Sequence, residues 1–393
     1  MEAEYRYLLH LLGAYLREEA PEPAENVDWE KLLELARIHS VNGIVGYMGR
    51  KYPICNDAQY NGQFRSLCMG TIALCTQRHA LAQTMSRQLD ETGINHILMK
   101  GYVLRDCYPV PELRTFTDID LVIRPEDRQK AHALMLSLGF AVKNDWEPVY
   151  SYHRGNEYYE FHTQIMEIDV SDKADYQGYF APCWAHAKPV TAHSYRFTPE
   201  FHFLYMLTHI AKHIHGAGAG VRMYLDVAAF VRCHGSHLDW SWMEAQLKQL
   251  QLYDFARVVL SAAEQWFGIG SPLVFQPISG ETLADFTAFT LEAGVFGHHN
   301  RDGALAKMKH QTQSDSGSRA KLLLRMAFPK AETIQSRYTY LQHKPWLLPV
   351  AWIHRLFKTS TETHQHLQTA RQIIHVDSEE VNRLKKLTKD IGL

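Results

Sequence analysis

Residues 114–124 read RTFTDIDLVIR. Asp118 and Asp120 stand two apart in an otherwise apolar, β-prone run, and side chains two apart in a strand point to the same face. Ile119, Leu121 and Ile123 then face the other way. Two like charges so placed repel each other and are relieved by a cation, and carboxylate oxygens suit Mg²⁺ or Mn²⁺ better than softer metals. Such ions can hold a triphosphate and stabilise an in-line displacement at phosphorus. A solvated edge strand is the bland alternative for an isolated D-x-D, so the neighbouring segments matter. Upstream, LMKGY puts Lys100 and Gly101 at the end of a strand opening onto a short helix, where a cation and backbone N–H groups can meet phosphate oxygens. Downstream, MEIDVS supplies Glu167 and Asp169, again two apart, and either could project a third carboxylate. That acid could take the proton from an attacking hydroxyl or serve as a further metal ligand.

A second polar cluster lies in THIAKHIHGAGAGVRMYLD. His209 and His213 are four apart on one helix face, with Lys212 and Asp226 near them in the text, and could present a basic, hydrogen-bonding wall. A zinc-peptidase motif is excluded, because residue 210 is Ile where H-E-x-x-H needs a glutamate. Histidines that merely bridge helices are the structural alternative. GAGAGVR reads either as a turn before an anion-meeting helix N-terminus or as a plain linker. Late in the chain, HKPWLLPVAWIHRLF concentrates Trp346, Trp352 and Phe357 beside Arg355 and Lys358. Residues 345–358 could touch a membrane surface or form the inner face of a packing helix, but are too short, and interrupted by Pro349, to span a bilayer.

These residues need elements to hold them. Helix-period segments fill residues 1 to about 90, with Asp28 as an N-cap before WEKLLELA and KYPICNDAQYNG as a turn before a later helix. The rhythm then changes. INHILM reads as a strand, VLRDCY as a short helix, TDIDLVIR as a strand and PEDRQKAHALMLSLGF as a helix opened by Pro125 and closed by Gly139. FAVKND, VYSYHR, YYEFHT and QIMEIDVS read as successive strands. Helices with short connections follow, which favours an antiparallel bundle. Residues 296–320 read as a loop, and SEEVNRLKKLTKD closes the chain. The expected division is an N-terminal helical segment over 1–90, an α/β domain over 91–190 and a C-terminal helical domain over 191–393.

Bulk properties narrow the function classes. A chain of 393 residues with 46% hydrophobic and 21% charged residues has the profile of an ordinary globular protein. The net charge of -2 carries no basic footprint, so there is no strong nucleic-acid signature. Six cysteines without CxxC spacing indicate neither a zinc ribbon nor a disulfide framework. They fit a reducing compartment, and with no leader-like start and no apolar run of spanning length the expectation is a cytoplasmic protein.

The stretch LMKGYVLRDCYPVPELRTFTDIDLVIRPEDRQKAHALMLSLGF resembles the bacterial family of uncharacterised nucleotidyltransferases, within the polymerase-β-type superfamily. Shared features are L-K-G, Y-P-x-P-x-x-R, D-I-D-L and L-x-x-x-G-F in that order, strongest over residues 97–140. The fold this implies is α+β, a nucleotidyltransferase-type mixed β-sheet domain flanked by N-terminal helices and a C-terminal helical bundle. The resemblance implies that Asp118 and Asp120 bind divalent metals, that Lys100 and Gly101 form the phosphate-facing turn and that Arg114 lies close to the phosphates unless it pairs with Glu112 or another acid. Family members often carry acid–apolar–His–aromatic at the strand of the third acid. Aligning residues 167–169 with that pattern makes Glu167 the acid and a third metal ligand, with Asp169 where the histidine falls, and both stay open as the catalytic acid. The resemblance further implies that His209, His213, Arg222 and Asp226 close the cleft from the helical side.

The expected activity is Mg²⁺- or Mn²⁺-assisted transfer of a nucleoside monophosphate from an NTP, ATP among them, to an acceptor hydroxyl with pyrophosphate release. Two rivals stand beside it: a catalytically silent nucleotide- or ligand-binding module of the same fold, and a metal hydrolase using the helical histidines with Zn²⁺ or Fe.

Overall fold

Capping residues set the opening helices of the computed structural model, which describes residues 3–24, 26–167, 170–216, 218–273, 275–292, 328–334, 338, 340–358 and 378–393. Helices α1 (Ala3–Arg17), α2 (Trp29–Ile38), α3 (Asn42–Lys51) and α4 (Ala58–Glu91) come first. The Asp28 carboxylate accepts from the Lys31 amide at 3.1 Å, as an N-cap should. Asp57 does the same for Gln59 at 2.9 Å, and α4 begins there, so the turn read over the Asn61–Gly62 region is corrected to helix. The reason is tertiary: Phe64, nearly two turns in, is buried edge-on against Trp29 with ring centroids 5.6 Å apart, and that packing outweighs the local turn signal.

Next come β1 (His96–Leu98), the short helix α5 (Gly101–Leu104), β2 (Ile119–Ile123), α6 (Arg128–Ser137), β3 (Ala141–Trp146), β4 (Val149–Arg154) and β5 (Glu157–His162). After α7 (Tyr176–Phe180), β6 (Ala187–Pro189) and β7 (Ser194–Phe197) complete a seven-stranded sheet in the order β3-β4-β5-β2-β1-β7-β6. β2 lies antiparallel to β1 and parallel to β5, and β1 is parallel to β7. The short pair β6–β7 has no counterpart in the sequence reading; strands of three and four residues carry too few alternations to register.

Residues 163–167 are not a strand, so the expected strand QIMEIDVS is also corrected. The strand beside β2 is β5, and the chain leaves the sheet at Thr163, whose amide turns back to the Pro148 carbonyl. Asp169 lies outside the described residues.

Strand parity divides the sheet as its pattern requires. Ile119, Leu121 and Ile123 of β2 with Tyr159 and Phe161 of β5 pack on Met85 and Leu89 of α4 and Met135 of α6. Val122 and Ile97 belong to the opposite core, so Asp120 and Glu160 stand on the face turned away from α4 and α6. That face is covered by α8 (Pro199–Gly216) and α9 (Val221–His234), followed by α10 (Trp240–Gln249), α11 (Tyr253–Phe267) and α12 (Gly280–Glu292). Leu8, Leu11 and Leu12 of α1 share one buried cluster with Val258 and Phe267 of α11, so the first and last helical segments form a single core.

Toward the end, α13 (Ala331–Ile334), α14 (Tyr340–His343) and α15 (Leu348–Lys358) make a small cluster around Ala351, and α16 (Ser378–Asp390) returns to the main core. Trp352 packs inward and donates to the Pro329 carbonyl at 2.9 Å, while Trp346, Val350 and Ile353 are exposed. No helix among the described residues is long and apolar enough to cross a membrane. The loop expected over 296–320 lies outside the described residues.

Candidate active site

The parallel register of β2 and β5 sets Asp120 directly beside Glu160, and Val122 beside His162. Asp120 is buried, and one of its oxygens, Oδ1, accepts from the Lys100 ammonium at 2.6 Å and lies 3.0 Å from His162 Nε2. Burial works to raise the Asp120 carboxyl, but Lys100 and His162 outweigh it and hold the pKa down at about 2. The reciprocal effect holds for Lys100, where desolvation opposes the charged form and Asp120 more than offsets it, raising the pKa. Glu160 goes the other way: burial, then the Asp120 charge beside it, raises its carboxyl. The oxygens of Asp120 and Glu160 and a ring nitrogen of His162 lie within 4.8 Å of one another.

Lys100 closes β1 with φ +52, in the left-handed region that a side chain enters at a cost of roughly 1–3 kcal/mol. The short ion pair to Asp120 holds it there. Gly101 follows because nothing larger fits: a Cβ at this position would collide with the Arg114 guanidinium and with Phe116.

Arg114 sits in the loop before β2 and reaches across to α9. Its Nε donates to Asp226 Oδ1 at 2.9 Å and its Nη2 to Oδ2 at 2.6 Å, a bidentate pair between two buried side chains. Tyr108 adds a third bond, its hydroxyl donating to Asp226 Oδ1 at 2.7 Å. Glu112 is taken by Arg105 instead, at 2.9 Å. Arg222, one turn before Asp226, donates to the Thr115 carbonyl and hydroxyl at 3.2 Å, while its Nε is buried with no hydrogen-bond partner among the described residues. Desolvation and the neighbouring Arg114 pull the Arg222 pKa down to about 10.

On α8, His209 and His213 face each other with Nε2 atoms 3.1 Å apart. Burial first, then nearby cations, pulls His209 well below the usual histidine range and His213 down to about 4. The expected basic wall is therefore corrected to a neutral one at these two positions: an imidazole surrounded by Lys100, Lys212 and its twin has no reason to take a proton. Neither histidine belongs to a group of potential metal ligands among the described residues.

A cavity of about 220 Å³ lies between these walls, lined by Lys100, Gly101, Arg114, Asp118 and Asp120 on the sheet side and by His209, His213, Arg222 and Asp226 on the helical side. Asp118, half-buried, accepts a bond of 3.3 Å from the Thr117 hydroxyl, and no ion pair among the described residues involves it. Glu167 does not line the cavity; its carboxylate lies 3.8 Å from His162 Nδ1 and 3.5 Å from Lys212 Nζ.

Three residues of this site escaped the sequence reading. Glu160 and His162 bear the pattern acid–apolar–His as Glu160-Phe161-His162, seven residues before the alignment chosen for it, and the signal was legible. His202, buried on α8 and lining the cavity, carried no distinguishing spacing.

The arrangement of acids, lysine and glycine turn invites comparison with known proteins. No curated protein matches the chain. The solution structure of the antibiotic-resistance factor ANT(2'')-Ia is similar at 14% identity with a TM-score of 0.32, covering 44% of this chain and 92% of that one, a likeness too slight to carry an argument. A family model described as uncharacterised nucleotidyltransferase matches residues 25–268, a span that holds every residue of the cavity described above. With more than half of its length matched, from before α2 to the end of α11, this chain belongs to the family of uncharacterised nucleotidyltransferases.

Proposed function

We propose that the cavity between the sheet and α8–α9 binds an NTP with Mg²⁺ and transfers its nucleoside monophosphate to an acceptor hydroxyl, releasing pyrophosphate. The observation that carries this reading is the convergence of Asp118 and Asp120 with Lys100 and Arg222 on one cavity wall system, beside a third carboxylate, Glu160. The donor chemistry suits a hard divalent ion: Asp120 and Glu160 offer carboxylate oxygens within 4.8 Å of each other and of a His162 nitrogen, and Asp118, outside that group, lines the same cavity. When bound, such an ion would neutralise triphosphate charge and stabilise the pyrophosphate leaving group.

The chain's own groups do the rest. Asp118 and Asp120 would hold the ion, with Lys100 and His162 fixing the rotamer of Asp120. Arg222, a cation with an unpartnered Nε at the cavity, binds phosphate oxygens. Glu160, with its carboxyl raised, is suited to accept the proton of the acceptor hydroxyl. Glu167 supports the same corner through His162 and Lys212. Arg114 and Asp226 serve by joining the loop before β2 to α9.

The test is a set of NTPs labelled at the α- or γ-phosphate, incubated with the protein, Mg²⁺ or Mn²⁺ and cell extract. The expected product retains α-label and loses γ-label, and Asp118→Asn lowers its formation by roughly 100-fold or more while the circular dichroism spectrum is unchanged. Retention of γ-label in the product would mean phosphoryl transfer, and unchanged turnover in Asp118→Asn would remove the metal role from this residue.

A further inference from the structure

A cluster of soft donors lies outside the described cavity. Cys107 ends the turn Arg105–Cys107 that follows α5, and Cys233 and His234 sit at the end of α9. A ring nitrogen of His234 and the two sulfurs all lie within 4.8 Å of one another. Cys107 is buried, His234 is half-buried and Cys233 is exposed, so the cluster opens to solvent on one side. The two elements are already tied together, because Arg232 of α9 donates to the Cys107 carbonyl at 3.4 Å and the adjacent Tyr108 donates to Asp226 on the same helix.

Two thiols and an imidazole, with no carboxylate among them, form a donor set for a borderline-soft ion of the Zn²⁺ type and a poor one for Mg²⁺. The size is compatible. Tetrahedral ligands at about 2.3 Å from zinc stand roughly 3.7 Å apart, so the three atoms need approach by no more than about 1 Å, within reach of side-chain adjustment at the exposed Cys233. We propose that Cys107, Cys233 and His234 bind one Zn²⁺, with the fourth position open to water, and that the ion clips the Arg105–Cys107 turn to α9. Each thiol loses its proton to solvent as its sulfur bonds to the ion, and no electrons change hands. Tyr108, next to Cys107, bonds Asp226 two turns before Cys233 on α9 and so connects the clip to the cavity, but the proposal is independent of nucleotidyl transfer.

The experiment titrates the metal-stripped, reduced full chain with Co²⁺ alone as a spectroscopic probe. A near-ultraviolet thiolate-to-cobalt band with tetrahedral visible bands at one equivalent, bleached by Zn²⁺, is expected. Cys233→Ser, at an exposed position, should weaken that band and lower the affinity at least 10-fold. Asp118→Asn should leave it intact, which separates this site from the carboxylates. A thiolate band of unchanged intensity and affinity in Cys233→Ser, or an octahedral spectrum without one, would overturn the proposal. So would a Cys107–Cys233 disulfide in protein purified without reductant, seen as two fewer titratable thiols.

Discussion

The two walls of the cavity handle charge in opposite ways. On the sheet side Lys100, Asp120, Glu160 and His162 are packed into a few ångströms, and the acid at the centre is held ionised, its pKa at about 2. Across the gap His202, His209 and His213 are all driven toward the neutral form, the first and last to about 4. Both walls are desolvated, so burial alone cannot explain the difference. The sheet brings opposite charges together through strand register, whereas the histidines of α8 meet cations from several elements: Lys212 on α8 itself, Lys100 before α5, Arg222 on α9 and Arg196 on β7. The sheet wall therefore keeps charge at the cavity. The helical wall gives shape, one cation at Arg222, and an anchor in the Arg114–Asp226 pair.

The largest effect that would test this contrast is on stability. Asp226→Ala leaves Arg114 buried without its bidentate partner, and breaking one side of a buried ion pair costs about 3–5 kcal/mol. Urea denaturation should register that loss. A cost below about 1 kcal/mol would mean that water in the cavity already solvates Arg114, and the anchor would have to be sought elsewhere.

Glu160→Gln is the mirror experiment on the other wall. A group that accepts a proton in the transition state contributes roughly 10²- to 10⁴-fold, so turnover should fall by that order. Stability should hardly move, within about 0.5 kcal/mol, because the substitution also removes the repulsion that raises the Glu160 carboxyl beside Asp120. If turnover survives, the role passes to Glu167, and Glu167→Gln should then show the loss.

The pattern of legibility follows from the same physics. Asp118, Asp120, Lys100 and Gly101, which line the cavity, stand out in the sequence because the D-x-D alternation and the lysine–glycine turn are local, whereas Arg222 is pointed to only by the family resemblance. The pairing of β2 with β5 is not local, and it decides which acid stands beside Asp120. The strand beside β2 ends at His162, so the acid that its register sets beside Asp120 is Glu160, while Glu167 lies beyond that strand. The partner of Arg114 was equally hidden, since Glu112 is near it in the chain and Asp226 only in space. The neutrality of the histidines depends on burial by α8 packing, which a count of nearby lysines and histidines cannot reveal.

The finest test of the contrast is acid titration, because the two walls should lose their contributions in separate windows. A histidine held at about 4 in the folded chain and at 6.5 when unfolded gives the unfolded state the greater proton uptake between those values. Stability therefore falls as pH drops from about 6.5 to about 4, and these groups contribute no slope above that range. His213 is faced by Lys212, Lys100, Arg222 and His209, and His202 by His234, Arg196 and Asp226, so most neighbours oppose protonation. Asp120 has the opposite sense: its pKa is lowered from 3.8 to about 2, so its contribution is present above pH 4 and is lost only as pH falls through 2. His213→Gln should flatten the upper window by about 1–2 kcal/mol, discounted for water at the cavity, and leave the lower one alone. Midpoints of urea unfolding measured from pH 7 to pH 2 would show it. A slope between 6.5 and 4 that His213→Gln does not change would mean that the imidazole is freely solvated, and the helical wall would then be as ready to carry charge as the sheet.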